Sequence, residues 1–166
     1  DSLAIGQVTL FMALAMVAGS FVYGPLDTLF RTRKWVAVAG NAIGLAALVA
    51  IALYPVTTVV TTTLFLVMIG LTGGSYGLLM AHGRAFLPPH LTGRGVTMLN
   101  FFSIGGVGVM QFATGAVVTT TTETDAPAVA YEALFWFYAA TLALSLLIYL
   151  ACRDAKPEKA AAEVNA

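Results

Sequence analysis

Gly24-Pro25-Leu26-Asp27-Thr28-Leu29-Phe30-Arg31-Thr32-Arg33-Lys34 separates two apolar runs of membrane-spanning length and holds three of the chain's eight Lys and Arg residues. Its Gly-Pro pair is a break signal. Its acid and its Arg-Thr-Arg-Lys cluster are costly to place in hydrocarbon. The stretch predicts a compact charged hairpin between two helices, and the runs on either side of it decide the fold.

Of the 166 residues, 59% are hydrophobic and only 10% are charged, and mean hydropathy is +0.88. Soluble domains carry roughly a quarter charged residues, so a water-soluble fold of this size lacks the charges to cover its surface. The expected solvent is the lipid bilayer. Formal net charge is zero, which leaves no basic field of the kind that nucleic-acid binding needs. The single cysteine, Cys152, rules out an internal disulfide. His82 and His90 are too far apart, and too poor in company, to be ligands on one helical face. No cofactor and no metal are expected. Asp1-Ser2-Leu3 has neither an initiator methionine nor a basic leader region, so the chain reads as an internal piece of something longer.

Five apolar stretches each approach the roughly 20 residues that a helix needs to cross a bilayer. They cover about 3–23, 35–54, 59–82, 96–118 and 131–151. Barrel strands would alternate apolar and polar residues over about ten positions, whereas these runs stay apolar for twice that length. The predicted fold is all-α, a polytopic bundle of five transmembrane helices, followed by a short solvated tail at 152–166.

The connections predict the orientation. Arg31, Arg33 and Lys34 lie in the first loop, Arg84 and Arg94 in the third, and Arg153, Lys156 and Lys159 in the tail, so all eight basic residues fall on one side. The other side has Asp1, the turn after Pro55, and Glu123 and Asp125. Basic loops are retained in the cytoplasm, which places the first loop, the third loop and the C-terminus inside a cell membrane, of the bacterial inner-membrane type.

No Asp, Glu, Lys or Arg lies in the middle of a span, so the usual marker of a proton relay is absent from these five helices. Neutral polar residues remain. Asn100 and Gln111 are eleven residues apart, close to three helical turns, and share a face with Ile104 and Val107. Their amides suit either solute binding or a neighbouring helix, and Gln7 is open to the same two readings. Asn41, alone on a very apolar helix, favours structural pairing. Thr72, Ser75 and Tyr76 lie beside glycines whose spacing, Gly70/Gly74 and Gly73/Gly77, lets helix backbones approach closely; the fourth span adds Gly105, Gly106, Gly108 and Gly115. In the third loop, Pro88-Pro89 stops the preceding helix, Thr92 is a candidate cap for the next, and His90 reads as an exposed loop residue.

Two of these loops together resemble the major facilitator superfamily. The Gly24, Asp27, Arg31-Thr32-Arg33-Lys34 segment is similar to that family's signature loop, particularly its weaker C-terminal copy. Phe86-Leu87-Pro88 with Gly93-Arg94-Gly95 is similar to the short loop before the fifth and eleventh helices. Asp27 stands one residue early, and Thr28 and Arg31 stand where Arg and Gly are common. The resemblance implies helices eight to twelve of a secondary transporter, most of a six-helix half-bundle, with the N-terminal half of the same transporter as its partner and a small-molecule solute as its cargo. It implies alternating access around a midplane site. The first, third and fourth spans would face the cavity, with Gln7, Ser75, Tyr76, Asn100 and Gln111 as candidate lining residues and the second and fifth spans peripheral. Gly24, Asp27, Arg31, Arg33, Lys34 and Arg94 would belong to the gating loops. Two other classes compete with this. A non-transporting membrane scaffold would use the same glycines for packing alone. A membrane-embedded enzyme would need clustered acids, a metal set or a nucleophile–base pair, and the sequence shows none.

Overall fold

The computed structural model describes residues 2–54, 58–124 and 127–156. Asp1, the turn at Pro55, Asp125 and the tail from Pro157 to Ala166, with Lys159, lie outside the described residues, as does the side chain of Glu123. The described residues are helical with no strand: α1 (Ser2–Phe30), α2 (Arg33–Leu53), α3 (Val59–Gly73), α4 (Tyr76–Arg84), a 3-10 turn (Pro89–Leu91), α5 (Thr92–Thr124) and α6 (Pro127–Leu150). Counting α3 and α4 as one broken span, five helical segments are long and apolar enough to cross a membrane. Helices are the expected answer for such runs, because a helix satisfies its own backbone polar groups where no water can do so. Large side chains such as Phe112 (82% exposed) and Phe21 (78%) cover the outside, the reverse of a water-soluble surface.

The hairpin predicted at 24–34 is much shorter than its sequence suggests. α1 passes through Gly24-Pro25 and continues to Phe30. Proline removes one bond, to the carbonyl four residues earlier, while the residues after it extend the helix normally. The turn itself is Arg31-Thr32. Arg31 takes a left-handed conformation (φ 53°), which costs a non-glycine residue about 1–2 kcal/mol. Thr32 is extended and caps α2, accepting a hydrogen bond from the Trp35 backbone N–H.

The third span is interrupted where a continuous helix over 59–82 is expected. Gly74 N bonds Leu71 O at 3.3 Å and Ser75 N bonds Thr72 O at 3.1 Å, a 3-10 tightening at the point of closest approach to α1. A side-chain carbon on Gly19 would strike the Leu71 carbonyl, and one on Gly74 would strike the Gly19–Ser20 backbone. Gly70 likewise faces Met12, so the Gly70/Gly74 pair makes a true backbone crossing. The α5 glycines do not. Gly105, Gly106, Gly108 and Gly115 have nothing within 4 Å of where a side chain would go, and the tight crossings expected of them are not formed among the described residues.

The fourth span overruns its predicted limits of 96–118 at both ends. Thr92 begins the helix rather than capping it, its hydroxyl donating to Pro88 O at 3.2 Å. At the far end, the hydroxyls of Thr121 and Thr122 each donate to the carbonyl four residues back, at 2.7 Å. That bonding satisfies the hydroxyls within the helix itself, where they would otherwise need an outside partner.

α1 packs on α3 and α4, α2 on α3, α4 and α6, and α5 on α4 and α6. α2 is the most enclosed of the five spans and α5 the least, with none of its apolar window buried. Tyr23, Val36, Ala37 and Leu78 form a buried apolar cluster, with Tyr149 packed against it.

Candidate functional site

Beside that cluster, the basic ends of the helices are joined by a polar network. Asp27 is buried; its Oδ2 accepts from Arg33 Nε at 3.1 Å and its Oδ1 from the Thr28 hydroxyl at 3.0 Å. Arg33 Nη1 also reaches Ala81 O, at 3.5 Å. One ion pair thus joins the end of α1 to the start of α2 and touches α4. Removing one partner of such a pair costs about 1.5–3 kcal/mol, the range for hydrogen bonds to charged groups.

The described start of the expected tail, residues 152–156, forms a strap across the helix ends. Asp154 Oδ2 accepts from the Thr32 hydroxyl at 2.6 Å and Oδ1 from the Lys34 backbone N–H at 3.0 Å, so a residue following α6 caps the N-terminus of α2. In return, Lys34 Nζ donates to Leu150 O and Cys152 O, both at 2.7 Å, and caps the C-terminus of α6. A carboxylate at a helix N-terminus and an ammonium at a C-terminus both complement the helix dipole. Burial pushes the Asp154 carboxyl upward, but the Thr32 hydroxyl, the Lys34 amide, the nearby His82 ring and the Arg33 amide outweigh it and hold the group below the usual carboxylate range.

His82 completes the network and was not singled out by its sequence context. It is buried, with Tyr149 Oη 2.6 Å from Nδ1. Nε2 lies 3.0 Å from Arg153 O and 3.2 Å from the Ala155 amide. With the proton on Nε2, the ring donates to Arg153 and accepts from Tyr149; with the proton on Nδ1, it donates to Tyr149 and accepts from Ala155. Both nitrogens are bonded in either tautomer. No local motif signals this role, because the partners lie about 70 residues away in sequence.

Of the gating-loop residues, Asp27, Arg33 and Lys34 come together. Arg31 is exposed at the turn, Gly24 lies within α1 beside open space, and Arg94 is exposed on the first turn of α5. The five candidate lining residues divide. Tyr76 Oη donates to Asn100 Oδ1 at 2.7 Å, tying α4 to α5. Gln111 lines a hollow of about 530 Å3 with Ser103, Val107, Thr114 and Tyr138; Thr114 and Tyr138 share a 3.1 Å hydrogen bond. Asn100, Ser103, Val107, Gln111 and Thr114 form one stripe at helical spacing along α5. Ser75 points elsewhere, buried and accepting from Asn41 Nδ2 at 3.2 Å. Gln7 is exposed near the start of α1 and does not line that hollow. The stripe offers neutral donors and acceptors, the chemistry for a hydroxyl or amide group. Among the described residues, no three His, Cys, Asp or Glu side chains gather as metal ligands.

Searched against protein-family models, curated proteins and solved structures, the chain matches none of them.

Proposed function

We propose that this chain is the C-terminal portion of a secondary transporter of the major facilitator type, moving a small solute across a cell membrane by alternating access, with its basic end in the cytoplasm. The observation that carries this reading is the Asp27–Arg33 pair, which reaches the Ala81 carbonyl and so fastens three helix ends at the basic side. A pair of that kind stabilises one access state and must part for the other. The loop sequence that resembles the family's signature supplies both of its members. The neutral stripe on α5 is the proposed solute-facing surface, and the missing half of the cavity would come from the N-terminal half of the same transporter.

The test is solute uptake by the full-length protein, screened first in cells for a transported compound. Asp27→Asn and Arg33→Gln should each cut the uptake rate by about tenfold, as 1.4 kcal/mol of lost state stabilisation would, with membrane expression near wild type. Wild-type uptake in both variants removes the gating role. A protein that moves no solute in a broad screen removes the transport reading.

A further inference from the structure

Two cations near the third loop have no carboxylate partner among the described residues, and they line one hollow. Arg84, at the end of α4, and Lys156, on the strap after α6, line a cleft of about 940 Å3 together with Arg33. Arg33 is already answered by Asp27, and among the described residues no acidic side chain lines the cleft. The described lining therefore carries two positive charges in excess. Much of the remaining lining is apolar and includes Phe86, Leu87 and Val96. Leu87 lies directly against the backbone of Gly95, so the third loop closes onto the start of α5 as a fixed wall.

Cations beside an apolar wall, at the end of membrane-length helices, match one ligand chemistry. A phosphate accepts the planar fork of an arginine and the point charge of a lysine, and an acyl chain can continue along Phe86 and Leu87. A headgroup carrying its own ammonium would meet Arg84 and Lys156 with like charge. We infer that this cleft binds the phosphate headgroup of an anionic lipid. The inference rests on the membrane placement proposed above and is independent of transport. Such a lipid would join α4, α5 and the strap, three parts of the basic end that the ion pair and the caps leave partly open.

The experiment titrates dioctanoyl phosphatidylglycerol, dioctanoyl phosphatidylcholine and glycerol 3-phosphate into the chain purified in neutral detergent, with binding read by native mass spectrometry. The anionic lipid should bind about tenfold or more tightly than the zwitterionic one. Arg84→Gln and Lys156→Gln should each weaken it about fivefold, the usual effect of one basic residue at a lipid surface. Arg153→Gln removes an exposed cation of the same end that does not line the cleft, and should leave affinity within about twofold. Equal losses in all three variants reduce the effect to general charge and overturn the site. Glycerol 3-phosphate binding as tightly as the lipid, with the same variant dependence, assigns the cleft to a soluble phosphate compound and overturns the lipid. Alkaline carbonate extraction separates the two levels. A chain that stays in the membrane while phosphatidylglycerol binding ignores Arg84 and Lys156 refutes the cleft alone, and a chain released by carbonate refutes the membrane placement and the inference with it.

Discussion

Asp154→Ala is the most direct probe of how the basic end is held. The substitution removes an acceptor from the Thr32 hydroxyl at 2.6 Å and from the Lys34 amide at 3.0 Å. Loss of a helix cap costs about 0.5–2 kcal/mol, and a hydrogen bond to a charged group about 1.5–3 kcal/mol. Because Asp154 is half-exposed, the lower ends apply, and the sum is about 2 kcal/mol. Asp154→Asn keeps one carbonyl acceptor and loses the charge, for about 1 kcal/mol. In a chain of this size these correspond to midpoint shifts of about 4–8 °C and 2–4 °C, measured by thermal unfolding in detergent. The pH dependence has a definite sign. The folded-state carboxyl titrates below its ordinary value, so its contribution is fully present above the ordinary carboxylate range, about 3.9 for Asp. It is lost as pH falls through the depressed folded value. The gap between wild type and Asp154→Asn should therefore be full at pH 7 and narrow below about pH 4. An Asp154→Ala midpoint equal to wild type at pH 7, or a gap that is unchanged in acid, refutes the capping argument.

Two further outcomes follow from particular contacts. Gly19→Ala and Gly74→Ala should destabilise the bundle by about 1–3 kcal/mol, as overpacking does, because the obstructing atoms are backbone; Gly105→Ala and Gly106→Ala, on open faces, should be neutral or stabilising by up to about 1 kcal/mol, all read by the same unfolding assay. Cys152 is the chain's single cysteine and is exposed, so a membrane-impermeant maleimide should label it in inside-out vesicles and not in intact cells; labelling in intact cells reverses the proposed orientation.

The helices were legible because hydrophobic runs of that length have one physical solution, and the Gly70/Gly74 spacing correctly marked a backbone crossing. The hairpin was misjudged at Pro25 because a proline disrupts only the turn before it, and a sequence break signal does not say which side survives. The overrun of α5 was hidden by its threonines, which read as polar loop residues but bond back to their own helix. The strap was invisible for a different reason. Asp154 and Lys34 are ordinary surface residues by local context, and their reciprocal capping exists only because α2 and α6 lie antiparallel with 120 residues of chain between the bonded groups. Ser75 and Tyr76 show the same limit at short range: adjacent residues at a helix break turn to opposite neighbours, one to Asn41 and one to Asn100.

α5 presents two surfaces that a single solvent cannot satisfy. Phe101, Phe102, Ile104 and Phe112 are large, apolar and exposed, which suits hydrocarbon. Gln111 is also exposed and, among the described residues, bonds to nothing. An amide moved from water into hydrocarbon without a partner costs about 4–8 kcal/mol, more than the burial of a large apolar side chain returns, about 1.5–3 kcal/mol. Water or another polar surface therefore suits Gln111 better than lipid does. A second helix of this chain does not meet it, since the hollow beside it stays open at about 530 Å3 with Tyr138 already shared with Thr114. The open glycines of α5 lie along the same helix and add no side chain that would fill the space. The proposed second half-bundle would meet this amide across a wet cavity, and a polar side chain of any other partner helix would meet it directly.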